Sequence, residues 1–215
     1  MKRYHSGADV STNRPTDAEV DNPHLLWLRS FVAFNLNITQ AFYSHPKILV
    51  VGLNGPCVGL SAAITAHADF VYAVPDTYLL TPFSSLGLVA EGNASRALLQ
   101  RLGPARGHEA LIMSKRITAD ELVQCGYVNK VFTECGKGDS DKFRELVLKE
   151  IDERLGDHLV GDSMLGIKKL IRAPDREIQE RQVVNEVFDG LDRFLTGVPQ
   201  AEFAKVASGK KRHKL

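Results

Sequence analysis

A glutamate stands at the end of an apolar segment, where its carboxylate could work as a base. Residues 81–92 read TPFSSLGLVAEG, and Glu91 closes this run just before a helix that we predict to begin near Ala94. An apolar pocket raises the pKa of a carboxylate towards neutral pH, which suits a general base. A carboxylate in the first turn of a helix is also common, because the helix dipole favours it. Proton transfer is therefore one of two roles that the sequence allows for Glu91.

Two glycine-containing segments could present backbone N–H groups to an anion. The first is SGAD at residues 6–9, and the second is NGPCVGLS at residues 54–61, which runs from a predicted strand into a predicted helix. A helix start has unpaired N–H groups and the positive end of the dipole, so it can hold a developing oxyanion. Each segment taken alone is also typical of a turn. Neither contains the GxxxxGKS/T or GxGxxG pattern of a nucleotide-phosphate loop.

Asn35 is a polar residue near the apolar face of a predicted helix, the face that carries Leu28, Phe31 and Val32. A buried asparagine needs hydrogen-bond partners. The Asn35 side chain could therefore orient a catalytic group, or it could bond to the backbone.

The composition excludes several classes of function. Lys and Arg number 27 and Asp and Glu number 26, so the net charge of +1 gives no strong attraction to nucleic acid. Aromatic residues make up 7%, with one Trp, which is too few for a base-stacking platform. The histidines are scattered and the three cysteines are isolated, so we expect neither a metal site nor a disulfide framework. No run approaches the ~18 apolar residues of a transmembrane segment.

Strands that alternate with helices are predicted for the first part of the chain. The predicted strands lie at 47–53, 69–74, 78–80 and 127–132, and the predicted helices lie at 25–42, 58–67, 94–102, 105–114 and 119–124. Thr118 and Glu121 have the spacing of a capping box at the start of the last of these helices. After a polar loop near residues 136–139 the chain is predicted to be helical, with an apolar stripe of Ile178, Val184, Val187, Leu191 and Leu195. This order indicates an α/β fold followed by a helical C-terminal region.

The chain ends in His213, Lys214 and Leu215, after the basic residues 210–212. A basic residue followed by a terminal leucine is the pattern of the peroxisomal targeting tripeptide, of which SKL is the type form. Histidine departs from the small residue preferred at the first position, and a frayed basic tail is the other reading.

Together these segments resemble the crotonase (enoyl-CoA hydratase/isomerase) superfamily. SGAD, KILVVGLNGPCVGLSAAITAHADFVYA, TPFSSLGLVAEG and ITADELVQCGYVNKVF occur in the order found in that family. The resemblance covers residues 5–132 closely and the helical tail loosely. It implies an α/β fold built as a spiral of ββα units, with a core at residues 1–135, a helical C-terminal region at 136–209 and a basic tail at 210–215.

Within the superfamily the chain resembles the peroxisomal Δ3,Δ2-enoyl-CoA isomerases. The two glutamates of the hydratases fall on Ala63 and Phe83, so addition of water is not expected. The single glutamate of the isomerases falls on Glu91, and the backbone N–H groups of their oxyanion hole fall on Ala8 and Leu60.

The resemblance implies that 3-enoyl-CoA is converted to trans-2-enoyl-CoA in fatty-acid β-oxidation. Asn35 and Phe83 are supporting candidates in this reaction. No cofactor is expected, because coenzyme A is part of the acyl-CoA substrate. The resemblance also implies a homotrimer or hexamer in the peroxisome, delivered by an import receptor that binds His213, Lys214 and Leu215.

One departure from the family pattern concerns the N-terminus. Family members have strand and helix units before SGAD, whereas SGAD begins here at residue 6, so we expect that the N-terminal units are missing. Two alternatives stay open. One is another acyl-CoA reaction such as dienoyl-CoA isomerisation, which needs a further acidic residue in the pocket. The other is a non-catalytic subunit that assembles with full-length partners.

Overall fold

Two small β-sheets lie at the centre of the computed structural model, which describes residues 21–212. The strands are β1 (Val50–Leu53), β2 (Cys57–Val58), β3 (Phe70–Ala73), β4 (Tyr78–Leu80), β5 (Ile117–Thr118) and β6 (Lys130–Val131). One sheet has the order β1–β3–β6 with parallel neighbours, and the other has the order β2–β4–β5. In the second sheet β2 is parallel to β4, whereas β5 is antiparallel to it.

Helices surround the sheets and make up most of the second half of the chain. The α-helices are α1 (Pro23–Trp27), α2 (Ala33–Tyr43), α3 (Leu60–Ile64), α4 (Leu99–Leu102), α5 (Pro104–Leu111), α6 (Ala119–Gln124), α7 (Ser140–Leu155), α8 (Gly161–Arg172), α9 (Arg176–Leu195) and α10 (Val198–Ala207). Two π-helical turns, Leu28–Val32 and Ala94–Leu98, lead into α2 and α4, and short 3-10 turns occupy Thr65–His67, Ser84–Leu86 and Ala173–Asp175. The predicted order of an α/β part followed by helices is confirmed.

Local sequence explains several of these boundaries. The Thr118 hydroxyl accepts a hydrogen bond from the Glu121 N–H, and the Glu121 carboxylate accepts one from the Thr118 N–H at 2.9 Å, so the predicted capping box starts α6. The Asn22 side chain caps α1 by accepting from the Leu25 N–H at 2.9 Å. The strand predicted at 127–132 is much shorter in the structure, where only Lys130–Val131 pair with β3.

The main core packs between the first sheet and helices α3 to α6. It includes Leu53 on β1, Val71 on β3 and Leu98 before α4, all almost completely buried. A bulky side chain is excluded at Gly52 of β1, because a β-carbon there would come within 3.1 Å of the Phe143 ring on α7. The apolar run of β1 is therefore packed by the core on one side and by α7 on the other.

A second cluster joins the first helices to α9. Trp27 stacks on Phe194 with ring centroids 4.1 Å apart, and Phe31 lies against Phe194 at 4.8 Å. Val187 and Leu191 complete this contact from α9. The packing lays α9 alongside α2, so that residues far apart in the chain meet near residue 91.

The apolar stripe predicted on α9 is confirmed at Val187, Leu191 and Leu195, which pack in the second cluster, and is wrong at Ile178 and Val184. Ile178 and Val184 are 37% and 44% exposed. The buried face consists of Gln179, Val183, Glu186, Val187, Gly190, Leu191 and Phe194. Gly190 decides the phase, because a β-carbon at this position would come within 2.6 Å of the Phe31 ring. Helix α9 therefore turns the face that carries Gly190 towards Phe31, which leaves Ile178 and Val184 partly exposed.

No helix within residues 21–212 is long and apolar enough to cross a membrane.

Candidate active site

Glu91 lies in the loop between the 3-10 turn Ser84–Leu86 and the π-helical turn Ala94–Leu98, where it is partly buried. The two residues after it have left-handed backbone conformations, with φ 70° at Gly92 and φ 63° at Asn93. This reversal starts the next helix immediately after Glu91, as the sequence predicted. Glycine suits position 92 because it adopts positive φ without steric cost.

The turn after Glu91 packs directly on α3. A β-carbon at Gly92 would come within 2.8 Å of Leu60 Cδ1 and within 2.9 Å of the Ala63 β-carbon. Only a glycine allows this approach. The predicted base and the predicted oxyanion donor, 31 positions apart in sequence, are therefore brought to the same place.

Leu60 is the first residue of α3, after the left-handed Gly59 (φ 70°). The Gly59 N–H donates to the Leu80 carbonyl at 2.8 Å, which ties the start of the helix to β4. No carbonyl of α3 can accept the N–H of its first residue, because helical hydrogen bonds reach back four positions. The Leu60 N–H is thus an N-terminal helix amide, as the oxyanion interpretation requires.

The surroundings of Glu91 raise the pKa of its carboxylate. Burial, followed by the negative charge of Glu186, raises the pKa of Glu91 from the ordinary 4.5 to about 7. A hydrogen-bonding interaction with the Asn35 side chain works in the opposite direction. A carboxylate with such a pKa can accept and return a proton near neutral pH.

Asn35 faces Glu91 from α2 and is 3% exposed. Its Nδ2 atom donates to the Phe31 carbonyl at 3.3 Å, one turn earlier in the helix. The backbone bond and the interaction with Glu91 are both present, so the two roles that the sequence left open are not exclusive. Asn35 is placed where it can orient the Glu91 carboxylate.

Glu186 is a second buried carboxylate near Glu91, and sequence reasoning missed it. Its Oε2 accepts the Asn93 N–H at 2.6 Å, and its Oε1 accepts the N–H and the hydroxyl of Ser95 at 2.8 and 2.5 Å. Burial raises the pKa of Glu186, while these three donors lower it. The spacing of Val183 and Val187 could have found it, because Glu186 lies on the helical face that these valines define.

His67 supports the same turn from the other side. Its Nε2 atom is 3.2 Å from the Gly92 carbonyl oxygen. Because a carbonyl oxygen only accepts, Nε2 carries the proton and donates. Burial lowers the pKa of His67 to about 4, so the ring is neutral at physiological pH.

The other predicted site residues have different positions. Phe83 is buried in the main core together with Ala63, and its carbonyl accepts from the N–H groups of Leu86 and Leu88 at 3.0 and 2.9 Å. Phe83 thus shapes the loop before Glu91 from within the core. Ala8 lies outside the described residues, as do residues 213–215 of the predicted targeting tripeptide.

Within residues 21–212 no group of three or more His, Cys, Asp or Glu side chains is arranged to hold a metal ion. The chemistry that the arrangement offers is acid–base. A partly buried carboxylate with a pKa near neutrality stands beside a helix start whose first N–H points out of the helix. Such a pair can remove a proton from a carbon next to a carbonyl and stabilise the oxygen that becomes negative.

Comparison with known protein families gives one match, to the model of "Enoyl-CoA hydratase/isomerase", over residues 30–148. A protein of Pyricularia oryzae named Delta(3,5)-Delta(2,4)-dienoyl-CoA isomerase is 66% identical over 99% of this chain and 79% of its own length. A Saccharomyces cerevisiae protein named 3,2-trans-enoyl-CoA isomerase is 34% identical over 99% of this chain and 77% of its own length.

Solved structures share the fold. The crystal structure of an enoyl-CoA hydratase/isomerase from Pseudoalteromonas atlantica superposes with a TM-score of 0.73 at 24% sequence identity, covering 84% of this chain and 69% of that one. At this identity the likeness concerns the fold alone. It agrees with the predicted α/β fold of parallel strands followed by C-terminal helices.

Proposed function

The chain belongs to the enoyl-CoA hydratase/isomerase family, and we propose that it converts a 3,5-dienoyl-CoA to the corresponding 2,4-dienoyl-CoA. Family membership confirms the resemblance to the crotonase superfamily. Isomerases of this family act on acyl-CoA substrates and need no cofactor. Two observations carry the proposal. The Glu91 carboxylate, with its pKa near 7, supports proton transfer, and the 66% identity to the Pyricularia oryzae protein supports the dienoyl substrate.

In the proposed reaction Glu91 removes a proton from C2 of the acyl chain. The electron pair is delocalised over the thioester oxygen and the conjugated carbons as far as C6. The N–H of Leu60 stabilises the negative oxygen, together with the N–H of Ala8 that the family resemblance implies. One such donor is worth about 3 kcal/mol. A proton is then added at C6, so that the product has the same atoms as the substrate and its double bonds lie at C2 and C4.

The proton that is added at C6 needs a donor. Dienoyl isomerisation was expected to need a further acidic residue in the pocket for this step. Glu186 is the further buried carboxylate near Glu91, but both its oxygens already accept hydrogen bonds from Asn93 and Ser95. A carboxylate engaged in this way is poorly suited to deliver a proton to the acyl chain. We therefore assign both proton transfers to Glu91, which requires that the bound acyl chain curves so that C2 and C6 both lie within reach of its carboxylate.

The second candidate function is the Δ3,Δ2 isomerisation implied by the sequence resemblance. The 34% identity to the Saccharomyces cerevisiae 3,2-trans-enoyl-CoA isomerase supports it. The single carboxylate also supports it, because C2 and C4 are close enough for one base to serve both.

The experiment that tests these proposals compares two substrates on the purified chain. We expect faster turnover of a 3,5-dienoyl-CoA than of a 3-enoyl-CoA, followed by the absorbance of the conjugated products. Turnover of the 3-enoyl-CoA alone would favour the second candidate. Turnover of neither would leave the non-catalytic subunit as the better interpretation.

We also propose the homotrimer or hexamer that the resemblance implied. The exposed apolar side chains Ile167, Leu170 and Ile171 have i, i+3 and i+4 spacing on one face of α8 and support an interface between copies, because an exposed apolar patch marks an interaction site. Light scattering after size-exclusion chromatography would measure the assembly, and a monomer at micromolar concentration would contradict it.

A further inference from the structure

We propose that Glu186 is a positioning residue for Glu91, acting by clamping the turn that follows the base. The inference rests on the proposed function, in which Glu91 carries the substrate proton. The two residues are 95 positions apart, and helix α9 brings Glu186 to the start of the π-helical turn Ala94–Leu98.

The clamp consists of three hydrogen bonds to one carboxylate. The N–H groups of Asn93 and Ser95 point at Glu186 over 2.6 and 2.8 Å, and the Ser95 hydroxyl adds a third at 2.5 Å. The first N–H groups of a helical segment have no partners within the helix and need an outside acceptor. Glu186 supplies it and so fixes the backbone that begins two residues after Glu91.

Further contacts attach α9 to the same turn. The Asn93 Nδ2 atom donates to the Gln179 carbonyl at 3.3 Å, and the Gln182 amide donates to the Ser95 hydroxyl oxygen at 2.8 Å. These neutral contacts add to the clamp. The carboxylate at position 186 is 4% exposed, and burying an ionised group is costly unless donors compensate it. The N–H groups of Asn93 and Ser95 and the Ser95 hydroxyl are the donors that compensate it.

The charge of Glu186 also acts on Glu91. The negative Glu186 disfavours a second negative charge nearby and is, after burial, the cause of the raised pKa of Glu91. With the charge removed, Glu91 would titrate closer to its ordinary value and be a weaker base.

The other groups around Glu91 do not replace Glu186 in this effect. His67 is neutral at physiological pH and Asn35 is uncharged. Arg193 of α9 donates to the Gly87 carbonyl at 2.8 Å in the loop before Glu91. Arg96, in the π-helical turn after Glu91, forms an ion pair at 2.5 Å with Asp175.

Two substitutions distinguish the effect of the Glu186 charge from the effect of its side-chain length. Glu186→Gln removes the charge with little change of shape. Glu186→Asp keeps the charge, but its carboxylate is one methylene shorter and cannot reach both amides. The matched control is Glu150→Gln, because Glu150 is also buried but lies on α7, where it pairs with Arg154 of the same helix and with Lys130 of β6.

The experiment measures the pKa of Glu91 by 13C NMR of the glutamate carboxyl carbons, assigned with Glu91→Gln, and the pH profile of kcat/KM. In Glu186→Gln we expect both the NMR pKa and the acidic limb of the profile to move down by about one pH unit. In Glu186→Asp we expect a nearly unchanged pKa and a kcat about 10-fold lower, because the base is displaced. Glu150→Gln should change neither.

A folded Glu186→Gln with the wild-type Glu91 pKa and kcat would overturn the inference. If this variant does not fold, Glu186→Asp decides, and a wild-type kcat in it would overturn the inference equally. The NMR titration can be carried out on a chain that shows no catalytic activity. A wild-type chain inactive on both substrates would therefore refute the proposed function, while the titration would still decide whether Glu186 controls the protonation of Glu91.

Discussion

Gly92 packs so closely on Leu60 that a β-carbon at position 92 would come within 2.8 Å of the Leu60 Cδ1 atom. This contact brings the loop that carries Glu91 to the start of α3. The base and the helix amide that the family chemistry requires are thus adjacent because one position in the loop has no side chain. The arrangement makes position 92 as important for the site as the charged groups.

Gly92→Ala should therefore destabilise the protein and reduce activity. The methyl group meets Leu60 and Ala63, and the φ of 70° is unfavourable for alanine, so we expect a loss of about 2–4 kcal/mol in the free energy of unfolding. Urea denaturation measures this loss. The control is Gly126→Ala, which has a φ of 74° but nothing within 4 Å of a β-carbon, and it should cost only about 1 kcal/mol. Equal losses in the two variants would show that the contact with Leu60 is not tight.

Glu91→Gln should lower kcat by ~10²-fold or more while acyl-CoA binding is nearly retained. Glutamine keeps the shape of the side chain but cannot accept the proton from C2. Asn35→Ala should have a smaller effect, because Asn35 only orients the carboxylate. Steady-state kinetics and calorimetric titration with a non-reactive acyl-CoA measure the two quantities. Turnover of Glu91→Gln close to that of the wild type would move the search to another base.

The wild-type pH profile should have an acidic limb near the pKa of Glu91. Glu91 works as the ionised base and its pKa is about 7, so kcat/KM should fall tenfold per pH unit below this value. The rate above pH 8 should be nearly constant. A limb near pH 4.5, the ordinary value for glutamate, would mean that burial and Glu186 do not act on the free protein as inferred.

The same pKa predicts that Glu91→Gln is more stable than the wild type at alkaline pH. Because the folded pKa of about 7 lies above the ordinary 4.5, the folded state binds the proton more tightly. The wild type therefore loses stability as the pH rises from 4.5 through 7. At pH 8 the variant should gain about 2 kcal/mol, since one pKa unit corresponds to about 1.4 kcal/mol and Glu91 is only partly buried. At pH 4, below both pKa values, the gain measured by urea denaturation should nearly vanish, and an equal gain at both pH values would contradict this.

The C-terminal tripeptide gives a prediction about localisation. We propose that His213, Lys214 and Leu215 direct the chain to peroxisomes, because a basic residue before a terminal leucine matches the targeting pattern. A fluorescent protein fused in front of the chain should be punctate and should co-localise with a peroxisomal marker. Deleting Leu215 should make the signal diffuse, whereas His213→Ser should keep it punctate. A diffuse signal from the intact chain would refute the proposal.

Local patterns predicted the parts of the protein that depend on neighbouring residues. Strand β4 and helix α6 lie where the sequence placed them, because a short apolar run and a capping box act within a few positions. The candidate base was found in the same way, since Glu91 stands out as a carboxylate closing an apolar run. The ordered motifs also predicted the family, which is confirmed. The domain boundaries and the assignment of Ala8 stay predictions.

The tertiary structure alone decided which groups act on Glu91. The phase of α9 depends on the contact between Gly190 and Phe31, and a period of 3.6 residues fitted to the apolar residues of α9 misses that contact. The resulting rotation places Glu186 against Asn93, a contact between residues 93 positions apart that no local pattern indicates. The physical reason is that hydrogen bonds and electrostatic interactions depend on distances in space, and separation along the chain does not give those distances. Sequence therefore identified Glu91 as a candidate base, whereas its burial and the charge that α9 brings beside it raise its pKa to about 7.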